Sequence, residues 1–146
     1  MTEYFKPEDD SPETAIATIG DELALFDDWM ERYEFIIELG RKLPAYPAAW
    51  QDEAHRVQGC QSQVWLAALE DNGKLFFTGA SDAAIVSGLV ALVLRVYSGR
   101  TRPEILSTPA KFLHDLGLIG ALSTNRGNGV AAMVERIQDM ARAPGD

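Results

Sequence analysis

The chain has 146 residues, of which 47% are hydrophobic, so it fits one domain that can bury a core without covalent or metal staples. Its single cysteine, Cys60, excludes an intramolecular disulfide and any CxxC site, and with only His55 and His114 beside it a zinc centre is thin. The net charge of −9 comes from residues 1–40, with twelve acids against Lys6 and Arg32; no basic stripe remains to neutralise phosphates, which disfavours nucleic acid.

Residues 1–12, with Pro7, Pro12 and little to bury, are expected to be a disordered acidic tail, followed by a single domain over 13–146. That acidic block is either a solvated surface or a face that meets a basic partner. Ile16, Ile19, Leu23 and Phe26 recur at helical spacing and predict a first helix over about Glu13 to Phe26. Asp27 or Asp28 can cap a second, "WMERYEFIIELGRKL", with a stripe of Trp29, Tyr33, Ile36, Ile37 and Leu39 and a stop at Pro44 and Pro47. "RVQG" at 56–59 reads as a short strand, "SQVWLAALE" at 62–70 as a longer one and "KLFFTGA" at 74–80 as its neighbour. The Asn72-Gly73 pair supplies the positive φ angles of a tight hairpin, so the last two strands are antiparallel.

"SDAAIVSGLVALVLRVYSG" predicts a core helix, capped by Ser81, with Asp82 at the positive end of its dipole and Gly99 just past its end. Gly88 inside it costs about 1 kcal/mol against alanine, which close packing would justify. Ser87, Gly88 and Arg95 break this apolar run, and it is too short to span a bilayer. "TRPEIL" carries a Thr-x-x-Glu capping box. "STPAKFLHDLGL", capped by Ser107 or Thr108 and stopped by Gly117, is another short helix. "STNRGNG" is a polar turn into the last helix, "VAAMVERIQDMARA". Helices, a small sheet, then helices again predict an α+β fold: about three antiparallel strands with helices packed on one face. No secretory pattern or spanning segment is visible, and the expected location is the cytoplasm, with no membrane contact.

A lone cysteine is ordinarily a small buried hydrophobe. Here Gly59 lets the chain turn, and Gln61, Ser62 and Gln63 are polar, so the thiol of Cys60 is placed to be reached. His55 and His114 belong to no recognisable cysteine-hydrolase pattern and are either structural or the base that such an enzyme would need. A reachable thiol without catalytic apparatus suits chemistry supplied by another protein.

"GCQSQVWL" at 59–66 resembles the signature of the SufE family. "RYEFIIELGRKLP" at 32–44, "GASDAAIVSGLVALVLRVYSG" at 79–99 and "LSTNRGNGVAAMV" at 122–134 resemble further family segments, in family order, over about residues 20–140. The resemblance implies the fold of IscU-type scaffold proteins. It also implies a sulfur acceptor in which Cys60 takes persulfide sulfur from a PLP-dependent cysteine desulfurase, SufS-like or CsdA-like. Such a protein stimulates that enzyme and passes the sulfur to an iron–sulfur scaffold. It has no cofactor, no metal and no independent turnover. Gly59, Gln61, Ser81, Asp82 and Arg126 become candidates for the docking surface. Asp82 is otherwise a helix-start residue, and Arg126 is either a loop arginine bonding carbonyls or a charge that activates the thiol. The alternative, an IscU-like scaffold that builds a cluster on itself, needs several ligands, usually three cysteines, and has one.

Overall fold

The hairpin turn follows from its two residues. In the computed structural model, which describes residues 3–59, 62–118 and 124–143 without the side chains of 124–128, β1 (Val64–Asp71) and β2 (Lys74–Ser81) pair antiparallel. Asp71 lies opposite Lys74 and Val64 opposite Ser81. Only Asn72, at φ 53°, and Gly73, at φ 78°, remain to close the loop, both in the left-handed region that a tight hairpin demands.

The third strand comes from another place than expected. β3 is the pair Arg100–Thr101, set against Leu75 and Lys74, and the sheet order is β1-β2-β3. Residues 56–59 make only an isolated antiparallel bridge, Arg56 to Trp65, on the other side of β1. They stop there because Gly59, at φ 90°, turns the chain away from the strand direction.

The face carrying Leu75, Phe77 and Gly79 packs under α3 (Ala84–Tyr97), which is buried along almost its whole length. Gly79 lies beneath Val90, where a methyl group would sit 3.0 Å from Cγ1. α2 (Trp29–Arg41) crosses α3 backbone to backbone: a Cβ on Gly88 would stand 2.0 Å from the Ile36 carbonyl oxygen. That contact is the close packing expected of Gly88. α1 (Pro12–Ala24), capped by Ser11, buries Ala15, Ile19 and Leu23 and also packs on α3. Asp28 rather than Asp27 caps α2, and of its stripe only Ile36 is fully buried.

After β3 the capping box forms as expected: Thr101 caps α4 (Arg102–Leu106) and Glu104 reaches back to the Thr101 N–H. α5 (Lys111–Asp115) is a single turn without a side-chain cap, because its capping position is Ala110 and not the expected Ser107, which ends α4, or Thr108, which donates to the Glu104 carbonyl. Gly117, at φ 75°, ends that turn as expected. α6 (Thr124–Arg142) packs beside α3 and α4, and the segment 124–128, expected as a turn, is its first part.

Two expectations need correction. Ser81 does not cap α3 and Asp82 does not open it: Ser81 ends β2, and Ala83 is the capping position without a side-chain bond. Extending β2 by one residue, to pair Ser81 with Val64, displaces the helix start. Nor is the acidic N-terminal segment a free tail where it is described. The Phe5 N–H donates to the Phe77 carbonyl at 2.7 Å, and the Ser98 hydroxyl donates to the Phe5 carbonyl. The Asp9 carboxylate, its side chain only 8% exposed, meets Arg95 Nε at 2.9 Å, and the Asp9 carbonyl accepts from Arg100. Arg100 is 3% exposed and has no carboxylate within ion-pair range among the described residues. The half-buried Arg95 is paired by the Asp9 carboxylate and by Glu22 of α1, while the buried Arg100 is held by carbonyls, that of Asp9 among them.

Candidate functional site

The chain enters the cysteine stretch along 52–59. Asp52 Oδ1 accepts from the His55 N–H at 3.0 Å and lies 2.7 Å from His55 Nδ1, while the ring stacks on Trp50 with centroids 5.4 Å apart. The His55 side chain and its N–H hold the Asp52 carboxyl below the usual carboxylate range. His55 is thus committed to its own turn, and His114 is exposed on α5, well along the chain. Next, the His55 carbonyl accepts from Leu66 at 2.9 Å and the Val57 N–H donates to Val64 at 2.8 Å, pinning this arm to the start of β1. Gly59 follows at φ 90°, where any side chain would be strained, and a Cβ there would lie 3.4 Å from the Ala132 methyl of α6.

Cys60 and Gln61 lie outside the described residues. The chain on their far side, Ser62 and Gln63, is fastened by Asp82. The Gln63 N–H donates to Asp82 Oδ1 at 3.1 Å, and the Asp82 N–H donates to the Gln63 carbonyl at 3.3 Å. Ser81 supports that clasp from behind: its hydroxyl accepts from the Ala83 N–H at 3.2 Å, and its carbonyl accepts from the Ser87 hydroxyl at 3.3 Å. Six positions before Ala132, in the first turn of α6, stands Arg126, about 9 Å along the axis at 1.5 Å per residue. Its side chain lies outside what is described.

The structure therefore brings Gly59, Ser81, Asp82 and the N-terminal half of α6 to one end of the hairpin. Sequence reasoning missed how they are joined. Asp82 was legible as a helix-start residue, whereas its partner is an amide of the opposite strand's lead-in. Arg136 was not singled out at all, yet its guanidinium donates to the carbonyls of Ala54 and Arg56 at 3.0 and 3.3 Å. Its only signal is its place one helical turn after Ala132.

A cavity of about 440 Å³ lies elsewhere, between the N-terminal segment, α2 and α3, and has no cysteine-loop residue in its lining. Among the described residues no three His, Asp or Glu side chains gather as metal ligands, and no helix is long and apolar enough to cross a membrane.

A family model described as "SufE: Fe-S metabolism associated domain" matches residues 17–141. An uncharacterised SufE-like protein of Rhizobium meliloti is 41% identical over 133 residues, covering 88% of this chain and 95% of that one. The sulfur acceptor protein CsdE of Escherichia coli is 35% identical over 122 residues, 82% of this chain and 83% of its own. The solution structure of a hypothetical protein from Thermus thermophilus superposes with a TM-score of 0.73 at 22% identity, over 88% of this chain and 93% of that one; it shows a shared fold.

Proposed function

The chain belongs to the SufE family, and on that premise we propose that it is a sulfur acceptor whose reacting group is the thiol of Cys60. The donor is a persulfide on a PLP-dependent cysteine desulfurase, SufS-like or CsdA-like. The Cys60 thiolate attacks the outer sulfur of that persulfide. A sulfur–sulfur bond forms to Cys60 as the donor's sulfur–sulfur bond breaks, and the donor cysteine leaves as a thiolate. One sulfane sulfur moves, charge is conserved and no outside oxidant is needed. The loaded protein then hands its sulfur to an iron–sulfur scaffold, and its docking speeds the desulfurase. It turns over nothing alone, and it works in the cytoplasm.

The observation that carries this reading is that the chain on both sides of the lone thiol is fastened to fixed elements: 55–57 to β1, and Gln63 to Asp82. A carrier must present one atom repeatedly to another protein's active site, and a loop held at both bases limits where that atom goes. An unperturbed thiol is only a few per cent ionised at neutral pH, so the partner's charges or Arg126 raise the thiolate fraction on docking. Gly59, Gln61, Ser81, Asp82 and Arg126 form the docking surface.

Incubation with a desulfurase and free cysteine, followed by mass spectrometry, tests the reading. Sulfur-atom increments should appear on Cys60 and should vanish, with the rate stimulation, in Cys60→Ser. Undiminished stimulation by Cys60→Ser would leave an allosteric activator and not a carrier.

A further inference from the structure

The stretch 54–57 has two edges. One faces β1, through the His55 carbonyl and the Val57 N–H. The other edge carries the carbonyls of Ala54, in the turn at 53–55, and of Arg56, at the bridge to Trp65. Arg136 of α6 occupies that edge, with Nη2 on the Ala54 carbonyl and Nη1 on the Arg56 carbonyl. Two acceptors two residues apart match the planar fork of a guanidinium, and a lysine would satisfy one. One turn earlier on the same helix, Ala132 abuts Gly59. α6 thus grips the arm at two points, immediately before Cys60.

We propose that Arg136 is a positioning residue for sulfur acceptance: it fixes the arm that leads into Cys60, as Asp82 fixes the arm that leads out. The proposal rests on Cys60 being the acceptor. Asp82 is exposed at the mouth of the loop, whereas Arg136 is half-buried behind it and turned toward backbone. Loss of Arg136 should therefore leave the encounter with the donor intact and slow the transfer within the complex. Near-attack geometry is sensitive to displacements of about an ångström, so the cost falls on the rate and not on the affinity.

Full-length wild type, Arg136→Gln and Arg136→Lys are compared, with the Cys60 persulfide formed by a desulfurase and free cysteine followed over a range of acceptor concentrations. Arg136→Gln should lower the maximal loading rate about tenfold, the factor that losing one net hydrogen bond's worth of positioning yields. The half-saturating concentration should stay unchanged. Arg136→Lys, which keeps the charge and one carbonyl, should recover part of the rate. Hydrogen exchange supplies a second readout: the Val57 and Gly59 amides should exchange faster in Arg136→Gln, while those of β2 should not. Unchanged loading in a variant whose Val57 amide has loosened would overturn the positioning role. So would a rise in half-saturation alone, which marks a docking residue. If Arg136→Gln fails to fold, Arg136→Lys decides by the same two criteria. If wild-type Cys60 takes no sulfur, or Cys60→Ser takes as much, the acceptor reading fails; the exchange comparison still tests the clamp.

Discussion

Replacing Asp82 by alanine removes one acceptor from the exit arm of the cysteine loop and leaves the rest of the clasp standing. The Gln63 N–H loses its 3.1 Å bond to Oδ1, whereas the backbone bond from the Asp82 N–H to the Gln63 carbonyl needs no side chain. Both residues are exposed, so water takes over the orphaned N–H and no desolvation penalty adds to the loss. The net cost is that of one hydrogen bond to a charged acceptor in a wet setting, about 1 kcal/mol. Spread over a domain of this size, it lowers the melting temperature by only about 2–4 °C. Locally it is large: the Gln63 amide should exchange about fivefold faster, with β1 amides beyond Val64 unaffected. Asp82→Asn keeps a neutral acceptor and should fall between the two. Site-resolved hydrogen exchange by NMR reads all three proteins. Equal Gln63 exchange in wild type and Asp82→Ala would refute the clasp, as would an asparagine variant as loose as the alanine one.

Gly88→Ala should destabilise the protein by about 2 kcal/mol, because a backbone carbonyl 2.0 Å from the new methyl cannot rotate away, and overpacking of roughly 3 kcal/mol outweighs about 1 kcal/mol of helix propensity. Chemical denaturation measures it, and an unchanged midpoint would show that α2 and α3 do not touch there. Asp9→Asn should cost about 1–2 kcal/mol, less than a wholly buried pair because Arg95 keeps Glu22 at 3.0 Å. Deleting residues 1–10 should cost more, since Arg100 then loses the Asp9 carbonyl; equal melting of the deletion and the full chain would count against a docked segment. The Thr101 N–H holds the Glu104 carboxyl below the usual carboxylate range, so its stabilisation is present above an unfolded pKa of about 4.3 and is lost as pH falls through the folded value. Glu104→Gln should flatten that acid limb in denaturation midpoints measured downward from neutral pH.

The elements that sequence made legible are those whose signal is local. Asn72-Gly73 dictates its hairpin, Thr101 and Glu104 lie three apart and cap each other, and Gly99 and Gly117 hold positive φ where their helices end. The features that were missed depend on residues far apart in the chain. β3 is two residues long and forms because Gly99 turns the chain back onto Leu75, whose carbonyl accepts the Gly99 N–H at 2.7 Å. No periodicity can appear in two residues. The acidic N-terminal segment reads as solvated because composition does not reveal that Arg95 and Arg100, some ninety residues on, take its Asp9 carboxylate and Asp9 carbonyl. Ser81 was a sound capping residue by type, and lost that role to strand pairing with Val64.

The same division runs through the site. The polar, glycine-led surroundings of Cys60 are written in consecutive residues, and so is the resemblance to the family. What holds the loop is not. Asp82 and Arg136 lie 19 and about 80 positions from the groups that they bind. Both bind backbone: an amide in one case and two carbonyls in the other. Backbone groups are present whatever side chain stands there, so neither contact constrains the identity of Ala54, Arg56 or Gln63. A loop fastened in this way can change the side chains at its tip to suit a partner without loosening its bases. On the proposed carrier reading, the arms fix where the thiol is offered, and the residues between them decide to whom.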